Sequence, residues 1–162
     1  MGYDFHHNAS KKDIVAFLKA RKSDNGKVIE GVVTGNYLWM LVEVDGVKSI
    51  ELAILTKAGS DFGYKLIGEG AGPYHYGCPA KLVAKADPAS CEYAAEWRKK
   101  NAAALERDAR AAERKVGDVV RYGKFEYRLV RPLNRGAFVV SRVSDGLEFS
   151  MCAAKFKDAE FL

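Results

Sequence analysis

Apolar positions along this chain change period several times, and each change marks an element. Ser10 followed by Asp13 has the form of a capping box, and Ile14, Val15, Phe17 and Leu18 then recur at helical spacing. This predicts an amphipathic helix over residues 10–22, closed by Ser23-Asp24-Asn25-Gly26. From residue 27 the spacing becomes that of strands. Val28–Thr34 is β-branched and apolar, Tyr37–Val44 is the most apolar run, and Val47–Leu55 alternates weakly. Gly35-Asn36 and Asp45-Gly46 are turn signals. Residues 27–57 therefore read as a three-stranded antiparallel meander, with the strand carrying Trp39 and Leu41 in the middle.

The pattern then dissolves. Residues 58–79 hold six glycines (59, 63, 68, 70, 72 and 77) and two prolines, which predicts a long ordered loop with only a short strand at Tyr64–Ile67. Loops of that length in compact domains often carry function. Pro79 opens a short helix, Ala80–Ala86, which Asp87-Pro88 breaks. Residues 89–115 lack Gly and Pro and are rich in Ala, Glu, Arg and Lys, which predicts a helix about 40 Å long at ~1.5 Å per residue. Its apolar stripe would be Tyr93, Trp97, Ala104, Leu105, Ala109 and Ala112. The alanine-rich part, residues 102–112, suits a homodimer contact and intramolecular packing equally. Four short strands follow: Val119–Tyr122, Phe125–Val130, Ala137–Val143 and Leu147–Met151. Turn signals separate them, as in a small SH3-like barrel. The expected fold class is α+β: an N-terminal helix plus antiparallel meander (1–88), a long connecting helix (89–115) and a small SH3-like C-terminal β-barrel (116–162).

Composition narrows the class. Hydrophobic residues are 48% and charged residues 29% of 162, as in ordinary globular proteins. No apolar run approaches the ~18 residues of a membrane span, so no membrane association is expected. The first residues, Met-Gly-Tyr-Asp-Phe-His-His, do not form a secretory signal, and His6 where Ser or Thr is needed breaks a myristoylation motif. Three cysteines, Cys78, Cys91 and Cys152, argue against a disulfide framework and for a reducing, cytoplasmic setting. The net charge of +5 is spread along the chain, without the basic block that tight nonspecific nucleic-acid binding uses.

Candidate chemistry gathers in residues 63–98. His75 and Cys78, separated by two residues, form half of a zinc pattern that His6, His7 or Cys91 would have to complete. A full signal needs two such pairs, so neither a metal nor another cofactor is expected. The plainer reading has His75 hydrogen-bonded in the loop and Cys78 as a small buried apolar residue. Cys78 ahead of a helix start, with His75 or His6 as base, would also suit a nucleophile, but Pro79 suggests a position that shapes a turn. Gly68-Glu69-Gly70-Ala71-Gly72-Pro73 is glycine-rich enough to bind an anion, yet no Gly-Lys-Ser/Thr follows and Glu69 would repel phosphate. Further on, Arg121-Tyr122, Lys124-Phe125, Tyr127-Arg128 and Arg131 interleave cations with aromatics. Arg121, Lys124, Arg128 and Arg131 are thus candidate nucleic-acid contacts, with the aromatics as a stacking face. Strand alternation equally predicts aromatics in a core and cations in solvent. The cations on the long helix, Arg98-Lys99-Lys100, Arg107, Arg110, Arg114 and Lys115, read as a solvated face or as a surface for an acidic partner.

Several landmarks recur together. Met1-Gly2-Tyr3, Gly63-Tyr64-Lys65, Gly72-Pro73, Cys78-Pro79 and Trp97-Arg98, followed by a small β-rich tail, resemble a family of uncharacterised bacteriophage and mobile-element proteins. The resemblance carries no catalytic residue. It implies a phage or plasmid accessory protein acting inside a bacterial host cell. The expectation is a non-enzymatic protein that binds a host macromolecule and inhibits a bacterial defence component. Tyr64, Tyr74, His75 and Tyr76 would form the contact surface, supported by Trp97 and Arg98, since aromatics and Arg anchor interfaces. The alternative is a nucleic-acid-binding module on the C-terminal strands, and a third reading is an enzyme working through His75 and Cys78.

Overall fold

Alternation of apolar side chains from Gly26 to Gly68 builds one antiparallel sheet in the computed structural model, which describes residues 2–72 and 75–162. The chain begins with strand β1 (Asp4–His6), helix α1 (Lys11–Lys19) and the two-residue strand β2 (Lys22–Ser23). The long strands follow: β3 (Gly26–Thr34), β4 (Tyr37–Val44), β5 (Val47–Ala58) and β6 (Asp61–Gly68). Their order across the sheet is β1-β6-β5-β4-β3-β2. The fold class is α+β, as the period changes imply.

Local chemistry explains the boundaries. The Ser10–Asp13 capping box forms: the Ser10 Oγ accepts from the Asp13 N–H and the Asp13 carboxylate accepts from the Ser10 N–H. α1 nevertheless stops at Lys19, short of the expected residue 22. Asp24-Asn25 turns the hairpin between β2 and β3 instead of trailing a helix. Asp45 and Gly46 take φ values of 51° and 80°, which a tight two-residue hairpin turn requires.

A larger departure is β6. The sequence predicts only a short strand at Tyr64–Ile67 inside a loop, whereas Asp61–Gly68 is an eight-residue strand paired with β5 along its whole length. Phe62, Tyr64 and Leu66 alternate onto one face. Gly63 interrupts no strand. A Cβ there would lie 2.6 Å from the Asp4 carbonyl oxygen, so its glycine is what lets β1 cross so close.

Alternation along β4 gives the sheet two apolar faces. Leu38, Met40 and Val42, with Ala53 and Leu55, pack under Ile14 and Leu18 of α1. Trp39 and Leu41, with Ile50 and Leu52, pack on the other face against Cys78, Leu82 and Trp97. Burial of a large apolar side chain stabilises by roughly 1.5–3 kcal/mol, so both faces contribute. Helix α2 (Ala80–Val83) is shorter than expected, and helix α3 spans Glu92–Ala112.

The chain divides into two compact units, Met1–Ala103 and Ala104–Leu162, and α3 runs across the division. The C-terminal unit holds β7 (Val119–Tyr122), β8 (Phe125–Pro132), β9 (Phe138–Arg142), β10 (Glu148–Met151), helix α4 (Ala153–Lys157) and β11 (Glu160–Phe161). Its sheet is antiparallel, in the order β10-β9-β8-β7-β11. Val120, Leu129, Phe138, Val140 and Met151 bury their side chains with Ala111 and Phe156. α4 and β11 had no counterpart in the sequence pattern.

Candidate functional site

The residues between Glu69 and Asn101 are brought together, mostly as a lock that fixes the glycine-rich connection. β6 pairs with β5 only from Glu51 onward, so the start of β5 has backbone donors without a strand partner. Side chains replace the missing strand. The Ile50 N–H donates to the Glu69 Oε1 at 3.1 Å and the Lys48 N–H donates to the Asp87 Oδ2 at 2.7 Å. Asp87 returns a backbone bond to the Lys48 carbonyl at 2.9 Å.

Glu69 is 4% exposed, and burying a carboxylate demands a partner. Arg98 supplies it as a fork: Nε to Oε2 and NH2 to Oε1, both 2.7 Å, while NH1 donates to the Asp87 carbonyl at 2.7 Å. These bonds from Glu69 hold the Arg98 guanidinium above its ordinary pKa. Asn101, 2% exposed, closes the other end. Its Oδ1 accepts from the Gly77 and Cys78 N–H groups at 2.9 and 3.0 Å, and its Nδ2 donates to the Cys78 carbonyl at 2.9 Å. The Trp97 Nε1–H donates to the His75 carbonyl at 2.9 Å. Ala94, Trp97 and Asn101 form the buried face of this part of α3.

This geometry sorts the expected site residues. Trp97 and Arg98 are structural members of the lock. The His75 ring lies 4.9 Å from that of Tyr37. Tyr64 is on the opposite face of the sheet, among the residues under α1, and its hydroxyl donates to the Asp4 Oδ2 at 2.9 Å. It therefore does not share a surface with Trp97 and Arg98. Tyr74 lies outside the described residues. Tyr76 remains at the surface, and Tyr93, which was expected in the apolar stripe of α3, is 69% exposed. Tyr76, Tyr93, Trp97, Glu96, Lys100, Ala71 and Gly72 line one shallow depression.

Two chemical readings lose their geometry. Cys78 has no exposed surface, and burial, reinforced by the Glu69 carboxylate, pushes its thiol up to about 12. A neutral, enclosed thiol ahead of a four-residue helix is not a nucleophile at neutral pH. His6, stacked near Phe17 and Tyr64, is on the α1 face of the sheet, whereas Cys78 is on the other, so the two cannot share an ion. Among the described residues no cluster of His, Cys, Asp or Glu is placed to hold a metal. The glycine-rich segment is a single 3-10 turn, Glu69–Ala71, whose carboxylate already occupies the buried donors.

In the C-terminal unit, strand register separates what the sequence interleaves. Arg121 pairs with Glu126 at 2.8 Å and Glu160 at 3.2 Å, and the Arg128 NH1 donates to the Gly117 carbonyl at 3.3 Å. Arg121, Arg128 and Arg131 point away from the core, and Phe125 and Tyr127 point toward the core side. Only Lys124, 5.4 Å over the Phe125 ring, stays with the aromatics. Arg142, Phe149 and Lys155 join that side, and the sequence reading missed all three.

No protein-family model matches the chain, and neither the curated proteins nor the solved structures compared with it give a match. The phage and mobile-element resemblance rests on the landmark residues alone. No helix among the described residues is long and apolar enough to cross a membrane.

Proposed function

We propose that this chain is a non-enzymatic binding protein whose N-terminal unit docks a protein partner through the face marked by Tyr76 and Tyr93. The observation that carries this reading is Tyr93, 69% exposed and lining a depression whose neighbouring residues, Glu69, Gly77 and Cys78, are held by Arg98 and Asn101. A large aromatic on a fixed frame gives contact area at small entropic cost, and such residues dominate interface energetics. The resemblance supplies the setting: a host protein in the cytoplasm of a bacterium that a phage or mobile element has entered, with inhibition of a defence component as the consequence. A meander of short antiparallel strands supports reading the C-terminal unit as SH3-like, a likeness of architecture that implies no function.

Site-specific photo-crosslinking tests the docking face. A photoreactive phenylalanine at position 93 is expected to capture one discrete partner in bacterial lysate, and the same probe at Phe17, exposed on the α1 face, is not. Equal capture from both positions, or none from 93, overturns the reading.

A further inference from the structure

The C-terminal sheet leaves one end of its core face uncovered. Tyr127 pairs with Arg142 and Leu129 with Val140, which in turn pairs with Phe149, so Tyr127, Arg142 and Phe149 stand on the same side as the buried Leu129 and Val140. α4 and the end of α3 close part of that side through Phe156 and Ala111. Beyond them lies an aromatic row, Tyr122, Phe125, Tyr127 and Phe149, carried on three strands, with Phe149 43% exposed. Tyr127 and Phe149 meet edge to face with centroids 6.2 Å apart. The Arg142 guanidinium lies 4.9 Å from the Phe125 ring centre and 5.2 Å from that of Phe149, and Asp145 holds it in a two-pronged pair. Lys124 sits over Phe125 and Lys155 over Tyr122.

Charge is divided between the two faces in a way that names a ligand. On the outer face Glu126, Glu148 and Glu160 balance Arg121, Arg128 and Arg131. On the aromatic face Arg142 and Asp145 neutralise each other, and Lys124 and Lys155 give the face its positive excess. An exposed ring, Phe149, beside the half-buried Phe125 and Tyr127 and flanked by cations complements a polymer that offers flat bases and a phosphate chain. A duplex hides its base faces by stacking, whereas a single strand presents them.

We propose that this face of the C-terminal unit binds single-stranded nucleic acid, with bases stacking on Phe149 and the ring of Tyr127 beside it and phosphates meeting Lys124 and Lys155. It is a second surface, independent of the docking face on the N-terminal unit, and it uses a different side of the sheet from Arg121, Arg128 and Arg131.

Fluorescence anisotropy on the full chain tests it, with a labelled oligothymidylate of about 20 nucleotides, longer than the roughly 4–16 that one small binding fold covers. Saturable binding is expected, with the matching duplex bound at least tenfold more weakly. Phe149→Leu keeps apolar volume but removes the ring, and should weaken binding about tenfold, as loss of one stacked base does, while Phe149→Trp retains it. Lys124→Ala and Lys155→Ala should each reduce the slope of log affinity against log salt by about 0.7. Arg128→Ala, on the outer face, should change affinity less than twofold. Absence of saturable binding, equal affinity for duplex, or a Phe149→Leu variant that binds like the parent overturns the proposal. A loss from Arg128→Ala as large as that from Phe149→Leu does so too.

Discussion

Replacing Arg98 with methionine keeps most of the side chain's apolar stem and removes its fork. Three bonds disappear: two to the Glu69 carboxylate and one to the Asp87 carbonyl. Glu69, 4% exposed, is left charged in the interior with only the Ile50 N–H as donor. Removing one partner of a buried pair costs about 3–5 kcal/mol, mainly because the other charge is stranded. The Arg98 side chain is 17% exposed, so water reaches its end of the pair and the lower part of that range, about 3 kcal/mol, is expected. The double replacement Glu69→Leu with Arg98→Met strands no charge. Relative to Arg98→Met it adds only the unpaired Ile50 N–H, about 1–3 kcal/mol, and it removes the stranded carboxylate, about 3 kcal/mol. The double variant should therefore be no less stable than Arg98→Met alone, a strongly non-additive cycle. Both tryptophans, Trp39 and Trp97, sit in this core with ring centres 5.9 Å apart. Tryptophan fluorescence during urea unfolding consequently reports the N-terminal unit by itself. A cost for Arg98→Met below about 1 kcal/mol, or a double variant that loses the sum of the singles, would refute the lock.

Other expectations follow from the same geometry. Asn101→Ala deprives two backbone N–H groups and a carbonyl of their partner and should cost about 2–3 kcal/mol in the same fluorescence assay; a change within about 0.5 kcal/mol would contradict that role. Native protein at pH 8 should show two rapidly titrating thiols, Cys91 and Cys152, with Cys78 reacting only on unfolding. A third fast thiol would show that Cys78 is accessible after all. The Cys78 thiol is raised from 9.0 to about 12, so its neutral form is favoured in the fold. Its contribution is full below pH 9 and is lost as pH rises toward 12, so from pH 9 upward the parent should lose stability faster than Cys78→Ala. Parallel loss in the two proteins would count against the burial argument.

Much of the fold was legible because it rests on period and turn chemistry. Asp45-Gly46, the run around Trp39 and the strands from Val119 to Met151 all appear near their expected places. β6 was obscured because glycine count outweighed the alternation of Phe62, Tyr64 and Leu66. The reason for Gly63 is a neighbouring strand, Asp4–His6, far away along the chain, which no local window contains. Cys78 is the small buried residue that the plainer reading expects, and Trp97 and Arg98 have hydrogen-bond partners that the sequence does not name. Distance in space decides those partners: Glu69 and Asp87 complete an unfinished strand edge, and only the sheet register reveals that edge. Asn101 carried no signal, since one Asn in a charged helix reads as solvated. Arg142 and Phe149 were passed over because interleaving in sequence is not adjacency on a face.

The central claim, that an exposed aromatic face on a locked scaffold binds a protein, is tested most directly by affinity capture from bacterial lysate with the parent and the Tyr76→Ala/Tyr93→Ala variant, each with and without nuclease. A partner that survives nuclease and is lost from the equally stable variant is the predicted result. A partner retained by the variant, or one that disappears with nuclease from the parent, would contradict it and leave the C-terminal aromatic face as the binding surface.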